Sequence, residues 1–107
     1  MKKILMDKAG SIAALNDKFR LVTSKYMLTN GIRSLTNLDV LIDYIALYSA
    51  FNEDNDPYGE HDFGSLEWKG EKVFWKIDYY NQALSGWCDP LSPDCKRVIT
   101  VMLAEEY

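Results

Sequence analysis

The residues with the most chemistry to offer lie in NDPYGEHDFG, Asn55 to Gly64. Asp56, Glu60, His61 and Asp62 are hard oxygen and imidazole donors close together in the chain. Such a set suits Mg²⁺, Mn²⁺ or Zn²⁺, or a base paired with an acid. On that reading the chain is a small metal-dependent hydrolase, a nuclease or phosphoesterase. Glu60, His61 and Asp62 are then the catalytic candidates, and all four residues are metal ligands. Strand alternation weakens the set: in an extended chain Glu60 and Asp62 point one way and His61 the other. His61 is also the only histidine, so no second imidazole can join it.

Two further readings of the same residues stay open. One is conformational. Asn55 and Asp56 can fold their side chains onto backbone amides, and Pro57 fixes a turn. Gly59 and Gly64 can take positive φ, and His61 can bridge a carboxylate and a backbone carbonyl. The other reading is recognition. Glu53, Asp54, Asp56, Glu60 and Asp62 place five carboxylates in a short span, with Tyr58 and Trp87 as amphipathic anchors. Such a surface suits a basic protein cleft, and its binding weakens with salt.

The remaining reactive groups are sparse. Cys88 and Cys95 lack partners for a zinc site, and without a secretory signal the expectation is two free thiols. No Gly-rich phosphate loop, Ser/His/Asp set or dinucleotide fingerprint is present. No cofactor is expected.

The elements that must position these residues follow from periodicity. After a lead over residues 1–10, Ile12, Leu15, Phe19 and Val22 form one helical stripe, with Ser11 as the expected N-cap. Asn16, Asp17, Lys18 and Arg20 then flank the stripe or face solvent, where Asn16, Asp17 and Arg20 can orient the acidic loop. Lys25 to Thr29 reads as a strand closed by an Asn30-Gly31 turn. A second helix, capped by Thr36 or Asn37, runs towards Phe51-Asn52 on Leu38, Leu41, Ile42 and Ile45. FGSLEW and KVFWKIDYY around Lys69-Gly70-Glu71 read as an antiparallel hairpin. Val73, Trp75, Ile77 and Tyr79 form its core face, and Phe74, Lys76, Asp78 and Tyr80 the wetter one. Residues 81–96 form a long turn-rich loop with a short helical turn near Asn81–Leu84. Arg97 to Ala104 reads as an interior strand covered on both sides. The sum is one α+β domain over residues 1–107: a small antiparallel sheet of about four strands with two helices packed on it.

Charge narrows the partners. Residues 1–33 carry seven Lys/Arg against two Asp/Glu, or +5, and residues 34–107 carry five against fourteen, or −9. An acidic body repels phosphate, so direct nucleic-acid binding is not expected. No window approaches the length of a membrane span, and a soluble, cytoplasmic protein is the expectation.

LNDKFR (Leu15–Arg20), NDPYGEHDFG, FWKIDYY (Phe74–Tyr80) and RVITVMLAEEY (Arg97–Tyr107) occur in this order. From about residue 11 onwards they resemble an uncharacterised proteobacterial domain family of unknown function. Its members are short, stand-alone proteins carried on plasmids and phages. The resemblance transfers no catalytic residues. It implies a mobile-element setting, often near counter-defence genes. The loop keeps Asp89-Pro90, but its two cysteines depart from the family pattern. Resemblance and charge together lead to a small acidic interaction protein, a counter-defence inhibitor acting on a CRISPR or restriction complex. Its expected partner is a basic, nucleic-acid-binding protein surface, with a homodimer through the sheet edge as a further arrangement.

Overall fold

The alternation of KVFWKIDYY has a direct outcome in the computed structural model, which describes the backbone of residues 2–107 and the side chains of 8–107. Strand β2 (Phe63–Trp68) turns through Lys69-Gly70 into β3 (Glu71–Tyr80), and the two pair antiparallel. Both turn residues have positive φ, 50° and 87°, as a tight hairpin with right-handed strand twist requires. Val73, Trp75 and Ile77 are buried on the inner face. On the outer face Phe74 meets Phe63 at a tilt and Tyr107 edge-on, and Lys76 pairs with Asp78 at 2.9 Å.

Strand β4 (Lys96–Leu103) lies between β3 and β1 (Met27–Leu28), giving the order β1-β4-β3-β2. The sheet has the expected four strands, but it is mixed, because β1 runs parallel to β4. Ile99, Val101 and Leu103 share the inner face with Val73 and Trp75. On the other face of β4 only Met102 is buried, while Val98 and Thr100 are half-exposed, so that side is not fully covered as expected.

Helix α1 (Lys2–Arg20) differs most from the expectation. It runs through the residues read as a lead, and Ser11 lies mid-helix rather than at a cap. Its inward face is Ile12, Ala13, Asn16 and Arg20, all buried, whereas Leu15 and Val22 are substantially exposed. Spacings of 3 and 4 fit either stripe. The polar one turns inward because Asn16 and Arg20 find hydrogen-bond partners there. Helix α2 (Asn30–Arg33) replaces the expected Asn30-Gly31 turn and buries Ile32. The Glu106 carboxylate stabilises its start by accepting from Thr29 Oγ1 at 2.6 Å and the Gly31 N–H at 3.2 Å.

Helix α3 (Leu38–Ala46) buries Leu41 and Ile45 against the sheet. Asn37 starts it with φ 54° and makes no side-chain cap, contrary to the expected capping role. The helix stops at Ala46, short of Phe51. There the Arg20 guanidinium takes two carbonyls: Nε donates to Ile45 at 2.9 Å and Nη2 to Tyr48 at 2.8 Å. The Ile45 carbonyl at the helix end also accepts from the Tyr48 amide at 3.2 Å, and the Tyr48 carbonyl lies just beyond the helix, so the guanidinium fixes the path of the chain as it leaves α3. No helix among the described residues is long and apolar enough to cross a membrane.

Candidate functional site

The loop from α3 to β2 is built by short polar side chains that close turns. Asn52 Oδ1 accepts from the amides of Asp54 and Asn55, and Asn55 Oδ1 accepts from the Asn52 amide at 2.9 Å. The nearly buried Asp56 carboxylate accepts from the Glu60 amide at 3.1 Å and the His61 amide at 3.3 Å. Gly59 takes φ 67° between them. Gly64, expected to supply positive φ, sits in β2 and serves close packing instead: a Cβ there would meet the Trp75 indole.

His61 is not extended. Its φ of 56° turns the ring onto Phe51, parallel and 3.9 Å away between centroids. Nδ1 lies 2.9 Å from Asp17 on α1, and Nε2 lies 3.7 Å from Asp56. The imidazole therefore faces two carboxylates rather than a carboxylate and a carbonyl. It does so at the edge of an open cleft of about 500 Å³ that also reaches Gly10, Glu53 and Tyr58.

Glu60 and Asp62 look elsewhere. A buried polar chain fixes them: Arg97 Nε donates to Asn16 Oδ1 at 2.7 Å, and Asn16 Nδ2 donates to the Glu60 carbonyl at 2.9 Å and to Tyr79 Oη at 2.8 Å. Tyr79 Oη in turn donates to Asp62 at 3.0 Å. Helix α1 thus orients the acidic loop, through Asn16 and Asp17. Arg20 pairs with Asp17 of its own helix and with no loop carboxylate.

The expected recognition residues fall into two groups. Glu53, Asp56 and Tyr58 border the His61 cleft. Glu60, Asp62 and Trp87 gather around Tyr79, where Trp87 lines two adjoining hollows. One hollow holds Asp62 and Asp78, the other Glu60 and Asp89 together with Lys8. Asp54 is exposed and borders neither group. Asp56, Glu60, His61 and Asp62 do not converge: among the described residues no group of three or more His, Cys, Asp or Glu is placed to hold a metal.

Trp87 is held outwards by its own loop. It bridges to Tyr80, and the Asn81 amide donates to the Gly86 carbonyl at 2.9 Å. The loop's Asn, Asp and Ser side chains close its other turns, as Asp89 does on the Leu91 amide. Cys88 and Cys95 are free and half-buried. Burial pushes the Cys95 thiol up despite nearby Arg97.

The carboxyls of Asp62 and Glu60 both sit above the ordinary carboxylate range. Burial is the largest cause for each. For Glu60 the negative charges of Asp62 and Asp56 add to it and the Lys8 ammonium opposes it. For Asp62 the Tyr79 hydroxyl opposes the rise, and Asp56 and Asp78 reinforce it. A raised folded-state value means that folding favours the protonated form. Each group therefore costs stability above its folded value, and that cost vanishes as pH falls below the unfolded one. Asp62→Asn keeps an acceptor for Tyr79 while removing the charge. It is expected to raise stability at neutral pH by no more than about 1 kcal/mol, since both groups are partly solvated. Urea midpoints of variant and parent should converge in acid.

Fold and site together define a small α+β protein with a buried Arg–Asn–Tyr–Asp chain beneath an acidic surface studded with exposed aromatics. The chain belongs to the family described as "Protein of unknown function (DUF3768)", whose model matches residues 28–106. The match begins after LNDKFR, so Asn16, Asp17 and Arg20 lie outside it. No curated protein and no solved structure gave a match.

Proposed function

We propose that this protein acts by binding, as an acidic inhibitor that occupies a basic, nucleic-acid-binding protein surface. The observation that carries this reading is Trp87. Trp87 is 71% exposed, between one hollow bearing Asp62 and Asp78 and another bearing Glu60, Asp89 and a single cation, Lys8. An amphipathic ring of low conformational entropy, with more carboxylates than cations around it, is a good anchor for an arginine-rich surface. No lysine or arginine among the described residues forms an ion pair with Glu60 or Asp62. A cationic partner would relieve the mutual repulsion of these groups. Tyr58, 79% exposed beside Glu53, extends the same character to the second cleft. The mobile-element resemblance supplies the setting, with CRISPR and restriction complexes as the candidate targets in a cytoplasmic host environment.

The test is capture from nuclease-treated host lysate at low and high salt, with competition by nucleic acid. A basic nucleic-acid-binding assembly should be retained at low salt, released at high salt and displaced by its own nucleic acid. Trp87→Ala and Glu60→Gln/Asp62→Asn should each weaken capture. No basic partner at either salt would sink the reading. The alternative, a metal-dependent hydrolase, draws on the His61–Asp17 contact beside an open cleft. Calorimetric titration with Mn²⁺ or Zn²⁺ addresses it, and an absence of binding by the unmodified protein ends it.

A further inference from the structure

Strand β4 is paired along its whole length with β3, but β1 covers only Thr100 and Val101 on its other edge. The Thr29 amide donates to the Val101 carbonyl at 3.2 Å, so Val101 turns its main-chain groups towards β1. In an antiparallel pair, alternate residues direct their N–H and C=O groups away from the partner strand. Arg97 and Ile99 therefore share the orientation of Val101. The same alternation appears on β3, where Tyr79 turns its carbonyl away from β4 to accept from the Cys88 amide. Beyond Met27 the chain leaves the edge in a turn of 3₁₀ helix, Thr23–Lys25. Among the described residues no strand follows β1 along Lys96–Val98, and no hydrogen bond from the turns, loops or side chains reaches the main chain of Arg97.

The space beside this edge is a groove of about 540 Å³. Phe19, Met27, Leu84 and Val98 give it an apolar lining, and the exposed Lys25 and Lys96 contribute its cations. Met27 and Leu84 are each more than half exposed, and Leu84 is held at φ 58° in the left-handed region. Lysines commonly blunt a sheet edge against indiscriminate pairing. They also choose among strands: a basic segment is repelled here and an acidic one is attracted.

We propose that the β4 edge is a docking site for an extended, acidic segment of a partner protein, which adds as a strand in line with β1. Main-chain bonds to both groups of Arg97 and to the Ile99 N–H hold the segment, the Ile99 carbonyl being engaged by Met27 in the β1 register. Alternate apolar side chains enter the groove between Met27 and Leu84, and flanking carboxylates meet Lys25 and Lys96. This surface differs in charge from the Trp87 anchor and meets its Asp62 hollow only at Leu84, so a cationic partner at Trp87 and an acidic strand at β4 are told apart by charge.

The test is selection of a random library of short displayed peptides against the full chain. Amide resonance shifts and exchange rates are then measured with the enriched peptides. Enriched sequences should alternate apolar with polar residues and carry Asp or Glu at their ends. They should shift the Arg97 and Ile99 amides and slow the exchange of Arg97. Lys25→Glu/Lys96→Glu, both at exposed positions, should weaken binding roughly tenfold. Lys72→Ala, which removes an exposed cation on β3 away from the groove, should leave it unchanged. Enrichment of no peptide, enrichment of basic peptides, or shifts that avoid Arg97 and Ile99 would each overturn the proposal. So would a protected Arg97 amide in a dimer of the free chain, because a second copy would then be the occupant.

Discussion

Replacing Gly64 with alanine is expected to destabilise the protein by about 2–3 kcal/mol, the cost of forcing a methyl group into a filled core. Gly64 pairs with Trp75 across β2 and β3, and a Cβ at this position would lie 2.5 Å from the indole Cε2 and 2.7 Å from Cζ2. The indole has little room to retreat. It is fully buried, meets Tyr48 and Phe51 edge-on, and lies beneath the Arg20 guanidinium at 4.9 Å. Its Nε1 has no hydrogen-bond partner, so the close fit has already cost the indole a bond. The diagnostic measurement is a double-mutant cycle in denaturant. Trp75→Phe removes the atoms that the new methyl would strike, so Gly64→Ala should cost much less in that background. Equal costs in both backgrounds would show that Gly64 is needed for another reason.

Arg20→Ala is expected to cost more, about 3–5 kcal/mol, because it empties a buried site, strips the Tyr48 carbonyl of its donor and removes one of the donors to the Ile45 carbonyl. The guanidinium joins α1 to the end of α3 through Ile45 and Tyr48, pairs with Asp17 at 3.1 Å, and covers the Trp75 and Phe51 rings. Arg20→Lys should recover little of the loss, since an ammonium cannot donate in two fixed directions while its face stacks on a ring. Lys18→Ala, on the solvent side of the same helix, should fall within about 0.5 kcal/mol of the parent. Thermal and urea unfolding would rank the three variants. A result placing Arg20→Ala near Lys18→Ala would contradict the role given to the guanidinium. Asp17 also holds His61, so the variant should loosen the His61 ring, detectable as a change in its resonance.

The hairpin and helix α3 were legible because their side chains alternate or repeat without competition, and β4 because its run is β-branched and apolar. Strand β1 was legible only as a short run: of the expected Lys25–Thr29 the strand keeps Met27–Leu28, while Lys25 ends a 3₁₀ turn. Val73, Trp75 and Ile77 have no polar rivals for the inner face. Helix α1 was not, because two stripes satisfy the same helical period. The apolar one contains Leu15 and Val22, and the one that turns inward contains Asn16 and Arg20. Only partners distant in sequence decide between them: Tyr79, Arg97, and the carbonyls of Ile45 and Tyr48. Ser11 and Gly10 look like a helix start, but nothing in α1 needs a start there. The acidic loop was legible as turn chemistry, since Asn55, Asp56 and Gly59 act within a few residues of themselves. His61 was not, because its conformation depends on Phe51 and Asp17 rather than on strand alternation. Arg97 and Tyr79, which fix Glu60 and Asp62, read in sequence as an ordinary strand residue and a core aromatic.

The central position of β4 also governs how this chain can fold. Strand β4 is the last in chain order, yet it alone joins β1 to the β2–β3 hairpin. Thr29 and Glu106, 77 positions apart, are tied by a single hydroxyl–carboxylate bond. Until β4 arrives, the hairpin can form locally while β1 and α2 have no sheet to join. The rate-limiting step should therefore be the closure of a long loop, which carries a large entropic cost before any contact repays it. A nascent chain lacking β4 would hold the edge of β3 open, and its protection against misassembly would rest on completing this one strand.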